Sequence, residues 1–166
     1  MSRKADGGAG AGTPATVRLA RDGIPFTPHL YVHDPAASNF GLEAARELRL
    51  DPATVFKTLL ADADGTLVVG IVPVTGQLDL KALASAVGAK RAVMADPKVA
   101  ERKTGYVVGG ISPIGQKSLL TTVIDESALL LDTVFVSGGR RGFDLELAPA
   151  DLARATGALF AAIARA

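Results

Sequence analysis

Lys57 lies in the run Val55-Phe56-Lys57-Thr58-Leu59-Leu60. As a strand, period-two alternation puts Val55, Lys57 and Leu59 on one face and Phe56, Thr58 and Leu60 on the other. A lysine on an apolar face either protects a sheet edge and reaches back to water, or points into a pocket that takes an anionic or carbonyl-bearing ligand. The run from Gly105 to Gly115, Gly-Tyr-Val-Val-Gly-Gly-Ile-Ser-Pro-Ile-Gly, offers a second kind of chemistry. It is either a tight turn or a loop whose successive backbone N–H groups hold an oxyanion or phosphate. Neither the Walker A spacing before Lys117 nor a dinucleotide fingerprint is present, and a nucleophile elbow around Ser112 would need glycine at position 114. A third cluster, Ser137-Gly138-Gly139-Arg140-Arg141-Gly142-Phe143-Asp144, reads as a plain hairpin tip. Alternatively, its arginines meet phosphate while Ser137 and Asp144 hold an amine or hydroxyl.

Other chemistries are excluded or weakened. The chain has no cysteine, so it carries neither a thiol nucleophile nor a Cys-ligated metal. His29 and His33 stand about 13 Å apart in an extended chain, too far to share one ion, and prolines at 25, 28 and 35 oppose the helix that would bring them together. No metal and no cofactor are expected. No recognisable motif joins either histidine to a serine or carboxylate, so a catalytic triad is unsupported. The formal net charge is +1 over 166 residues, so no overall field draws the chain to DNA or an anionic membrane, and any anionic partner must meet a local patch. Residues 79–118 do hold seven Lys+Arg against three Asp+Glu. No apolar run is long enough to span a bilayer or to serve as a signal peptide, which makes a cytoplasmic location the expectation.

The elements that must position these groups can be read from caps and periodicity. Thr13-Pro14 opens a helix to about residue 22, and residues 26 to 34 read as extended. A second helix spans 41 to 49. Thr54 to Ala61 and Thr66 to Pro73 form a hairpin across Asp62-Ala63-Asp64-Gly65. Asp79 caps a helix to Val87, residues 91 to 95 form a short strand, and Asp96-Pro97 opens a helix to Lys103. Strands are expected at 119–125, 133–137 and 143–147, followed by a terminal helix from Pro149 to about Ala164 that carries Leu152, Leu159 and Ile163. The result is a single mixed α/β domain over 13–166, preceded by a flexible Ala/Gly-rich tail over 1–12.

Several separate motifs agree on a family. Tyr31-Val32-His33-Asp34-Pro35, Asn39-Phe40-Gly41, Val55-Phe56-Lys57-Thr58-Leu59 and Gly76-Gln77-Leu78-Asp79-Leu80 occur in order. Thr104-Gly105-Tyr106, Gly109-Gly110-Ile111-Ser112-Pro113 and Val136-Ser137-Gly138-Gly139 follow. Together they resemble the YbaK (EbsC-type) aminoacyl-tRNA deacylases. The resemblance implies a mixed, partly closed β-sheet or barrel wrapped by helices, as in the editing domain of prolyl-tRNA synthetases. It also implies hydrolysis in trans of Cys-tRNA(Pro), and of Cys-tRNA(Cys) in the absence of a partner. Lys57 then matches the family's essential lysine, and Gly110 sits in the catalytic loop running from Gly109 through Ile111 and Ser112 to Pro113. Tyr31, Phe40, Thr58, Ser137 and Asp144 line the pocket. In the family the substrate's own thiol is thought to attack its ester carbonyl, which suits a site without cysteine, triad or metal. The implied partners are the acceptor end of tRNA(Pro) and a prolyl-tRNA synthetase; separately from the resemblance, a monomer is the default expectation for the chain. Two alternatives keep the sequence but change the function: deacylation of Ala-tRNA(Pro) by water, or a non-catalytic module that binds tRNA or a synthetase.

Overall fold

The computed structural model describes residues 12–166. The expected tail over 1–12 therefore lies, Gly12 apart, outside the described residues. Helix α1 (Pro14–Arg21) starts as anticipated, with Thr13 Oγ1 accepting from the Thr16 N–H at 3.2 Å and proline at the first position. Strand β1 (Thr27–Leu30), helix α2 (Phe40–Glu47) and a 3₁₀ turn (Pro52–Thr54) follow. They lead into the long hairpin of β2 (Phe56–Ala63) and β3 (Thr66–Pro73). Next come β4 (Gln77–Leu78), α3 (Leu80–Ala86), β5 (Ala92–Met94) and α4 (Pro97–Thr104). After the glycine loop the chain forms β6 (Thr121–Asp125), a 3₁₀ segment (Glu126–Leu130), β7 (Val134–Arg140), β8 (Phe143–Leu147), α5 (Pro149–Thr156), β9 (Leu159–Ala161) and β10 (Ala164–Arg165).

A mixed five-stranded sheet runs in the order β9-β6-β3-β2-β5, parallel at β9/β6 and β6/β3 and antiparallel elsewhere. A three-stranded antiparallel sheet, β1-β8-β7, stands beside it, joined by one parallel bridge between Val55 and Phe135. The strands therefore wrap partway round without closing into a barrel. The period-two pattern of β2 and β3 explains how the sheet is covered. Phe56, Leu60, Val69 and Ile71 pack one face with α1, α5 and the three-stranded sheet. Ala61, Ala63, Val68 and Val72 pack the other against Leu83, Ala84 and Ile163. No helix among the described residues is long and apolar enough to cross a membrane.

The terminal helix expected to reach Ala164 is corrected to one that stops at Thr156. Gly157 takes φ 70°, the left-handed cap that ends a helix. The apolar residues beyond it serve a strand: Leu159 pairs with Val123 alongside β6, and Ala164 pairs with Leu78 of β4. Ile163, between them, is wholly buried.

Candidate functional site

Strand β5 covers β2 only at Ala61–Ala63, and β7 bridges the chain only at Val55 before diverging, so residues 57–60 form a stretch of sheet edge with no strand paired to it. The ladder fixes what that edge presents. Val55 accepts from the Val74 N–H on the β3 side and Leu60 accepts from the Ala95 N–H on the other. By alternation the Thr58 N–H and C=O also face away from β3. A cleft of about 360 Å³ opens along this edge, within the usual range for small-molecule sites. An open edge lets both faces of the strand reach it: Lys57, which shares its face with Leu59, and Thr58, from the opposite face, line the same cavity.

The other lining groups arrive from four directions. Tyr31 is seated by its N–H donating to the Gly142 carbonyl at 3.0 Å. Phe40 is the first residue of α2, whose N-cap Asn39 accepts from the Leu42 N–H at 3.1 Å. Buried Glu43 accepts from His33 Nδ1 at 2.8 Å and from the Asp34 N–H at 2.7 Å, which holds the segment between Tyr31 and Phe40 in place. Ser137 and Asp144 face each other across β7 and β8 and both enter the cleft, as do Gly109 and Ile111 of the glycine loop. Met94, Ala95, Pro97 and Ala100 supply an apolar wall that no motif in the sequence signalled.

The remaining anticipated site residues sit behind this surface. Gly110 is outside the lining; its N–H donates to the Val107 carbonyl at 2.8 Å, and a Cβ there would come within 2.7 Å of Arg140 Cα. Its glycine identity serves close packing of the loop on the β7–β8 hairpin. Ser112 is fully buried, its Oγ accepting from the Ile114 N–H at 3.2 Å, and Pro113 is buried beside it. Both shape the loop from within. Among the described residues the N–H groups of Gly109 and Ile111 have no acceptor.

The electrostatics are those of a desolvated polar site. Burial alone pushes the Asp144 carboxyl up from 3.8 to about 7, with no hydrogen bond to offset it. Burial first, and then the Asp144 charge, raises the Tyr31 phenol to about 12. Burial also lowers the Lys57 ammonium, which has no ion-pair partner among the described residues. Thr58 Oγ1 is buried without a hydrogen bond, a condition that costs about 1–3 kcal/mol unless a ligand or water takes it up. The two histidines are engaged elsewhere: His29 Nε2 lies 2.9 Å from Glu146 Oε1, and His33 is held by Glu43. Among the described residues no group of three His, Asp or Glu side chains could share a metal ion.

Comparison with known proteins places this arrangement. Residues 34–155 match the family model of the aminoacyl-tRNA editing domain. EbsC of Enterococcus faecalis, provisionally named a Cys-tRNA(Pro)/Cys-tRNA(Cys) deacylase, is 40% identical over 120 residues, which is 72% of this chain and 73% of that protein. A proline–tRNA ligase of Moorella thermoacetica is 29% identical over 98 residues, covering 59% of this chain and 17% of the much longer ligase. A solved structure provisionally described as a trans-editing enzyme for prolyl tRNA synthetase superposes with a TM-score of 0.79 at 23% identity, over 92% of this chain and 96% of that one. A match over most of the chain, centred on the elements that build the cleft, leads to one conclusion: the protein is a member of the aminoacyl-tRNA editing domain family.

Proposed function

We propose that this aminoacyl-tRNA deacylase acts in trans in the cytoplasm on Cys-tRNA(Pro). The observation that carries the reading is the lining of the cleft: a desolvated ammonium, an orphaned hydroxyl and, among the described residues, a buried carboxyl without a hydrogen bond and two loop residues whose N–H groups have no acceptor. These are binding and charge-stabilising groups. An aminoacyl ester is already activated, so positioning it and stabilising its tetrahedral oxyanion is most of the task.

In this reading the ester carbonyl oxygen is held by the N–H groups of Gly109 and Ile111. Lys57 takes the phosphate or ribose of the terminal adenosine. The α-ammonium of the amino acid faces Asp144 and Ser137, whose pairing across β7 and β8 fixes both groups on one side of the cleft. With Asp144 near 7, its carboxylate is available at neutral pH and is favoured further by the arriving ammonium. The substrate's thiol, with an ordinary pKa near 8.5, is a few per cent thiolate at pH 7. Its sulfur bonds to the carbonyl carbon, the carbon–oxygen ester bond breaks, and the thiol proton ends on the released ribose hydroxyl. Free tRNA and a cysteine thiolactone result, and water opens the latter. Proline has no thiol and is spared.

Side-by-side deacylation of Cys-, Ala- and Pro-tRNA(Pro) tests the substrate, and Lys57→Ala tests the site. Cys-tRNA(Pro) is expected to be cleared fastest, and Lys57→Ala to lose at least 100-fold in rate with an unchanged melting temperature, about the scale of removing one charge-stabilising group. Preference for Ala-tRNA(Pro) would replace the thiol with a bound water. Full activity in Lys57→Ala would remove the lysine from the mechanism.

A further inference from the structure

Arg141, exposed at the tip between β7 and β8, has among the described residues one ring contact and one side-chain hydrogen bond, both with residues of the cleft. Its guanidinium lies over the Phe40 ring at 4.7 Å from the centroid, and its Nη2 donates to the Val108 carbonyl at 2.6 Å. On the other flank the Val108 N–H donates to Glu101 Oε2 of α4 at 2.8 Å. The stretch from Val107 to Gly110 is thus pinned from two sides, although Val107 and Val108 themselves are exposed and contribute no buried anchor. Gly109 accommodates the arginine: at φ 90°, a Cβ would meet Arg141 Nε at 2.5 Å and the Phe40 ring at 3.0 Å.

The Val108 carbonyl and the Gly109 N–H belong to one peptide plane, and in a trans peptide they point in opposite directions. A guanidinium that grips the carbonyl therefore sets the direction of the Gly109 N–H, away from Arg141. A charge-assisted bond to the carbonyl also polarises that same amide, making its N–H a stronger donor. We propose that Arg141 is a positioning residue, aligning and polarising the Gly109 N–H for the oxyanion while its planar face holds Phe40 over the cleft. Lysine cannot substitute, because it offers a point charge without the flat fork that stacks and donates at once.

The inference rests on the deacylase reading of the cleft, and the experiment separates the two. Arg141→Ala and Arg141→Lys are assayed on Cys-tRNA(Pro) with melting temperatures recorded, and the Gly109 amide is followed by NMR in glycine-labelled protein. The expected result is a fall in kcat of about 10- to 100-fold with KM changed less than about threefold, the kcat-directed signature of a group acting in the transition state. Melting temperature is unchanged, the Gly109 amide resonance shifts, and added guanidinium at millimolar concentration restores part of the rate to Arg141→Ala but not to wild type. A raised KM with kcat intact would make Arg141 a phosphate contact and overturn the proposal, as would an unshifted Gly109 resonance. If wild type clears none of the three aminoacyl-tRNAs, the deacylase reading fails, while the Gly109 resonance still decides whether Arg141 sets that amide.

Discussion

A carboxyl group buried without a hydrogen bond works against the fold it sits in, and Asp144 makes that conflict measurable. Its folded pKa, about 7, lies above the ordinary 3.8, so the folded state holds the proton more tightly than the unfolded chain does. Stability from this group is therefore fully present below about pH 4 and is lost as the pH rises through 7. Asp144→Asn removes that dependence. The unfolding free energy of the variant relative to wild type is expected to improve by about 3 kcal/mol between pH 4 and pH 8, read by urea titration at each pH, while deacylation falls. A parallel pH profile in both proteins would show that the carboxyl does not carry the shift. Lys57 and Asp144 were legible in the sequence because each breaks a local pattern, a charge on an apolar strand face and a charge beside a glycine turn. The orphaned hydroxyl of Thr58 was not, since nothing local distinguishes a satisfied threonine from an unsatisfied one. The division of the glycine loop was equally hidden. Whether an N–H faces a ligand or closes a turn, as at Gly110, depends on dihedrals that the residue names do not specify.

Elements were recovered where capping or strand alternation marks them, and lost where pairing partners are distant. Thr13, Asp79 and Asp96 each cap the helix that the sequence assigned to them, whereas the helix expected over 41–49 runs Phe40–Glu47 behind an Asn39 cap that the sequence did not assign. The segment after Gly157 carries helical spacing but becomes two short strands, because β6 and β4 offer edges that only the folded molecule brings close. One side chain holds this ending. Asp125 Oδ1 accepts from the N–H groups of both Ile163 and Ala164 at 2.9 Å, and its other oxygen takes the Ser127 N–H at 3.1 Å. Burial pushes this carboxyl up, but the hydrogen bonds outweigh it and hold the pKa below 3.8. Its contribution is therefore present above about pH 4 and is lost as the pH falls through the lowered value. Asp125→Ala is expected to cost about 2–4 kcal/mol at pH 7, with hydrogen exchange at Ile163 and Ala164 accelerated ahead of β2 and β3. Uniform acceleration across the sheet would mean that the segment is not a separate cooperative unit.

At the scale of the whole molecule, the near-zero net charge conceals the division already visible in the sequence, a basic stretch over 79–118 followed by an acidic one, residues 119–151, with two Lys+Arg against six Asp+Glu. The fold gives the basic stretch a position. Its helix α4 contributes Pro97 and Ala100 to the cleft, and Lys98 and Arg102, four residues apart and exposed, share one helix face. At 100° per residue Lys98 and Arg102 fall on the side of α4 away from Pro97 and Ala100, so they meet the phosphates of an acceptor stem that passes over the outer face of the helix on its way to the cleft. Two or three such contacts release few counterions, so KM for the aminoacyl-tRNA is expected to rise about 5- to 30-fold between 50 and 200 mM salt, a modest dependence for a nucleic-acid enzyme. Lys98→Glu with Arg102→Glu is expected to raise KM at low salt, to flatten its salt dependence, and to leave kcat unchanged, because neither side chain lines the cleft. Wild-type salt dependence in the double variant would move the tRNA path to another face. A weak, local contact of this kind leaves tRNA identity to be supplied by something else, so adding a prolyl-tRNA synthetase to the assay is expected to lower KM for Cys-tRNA(Pro) without changing the rate of the chemical step.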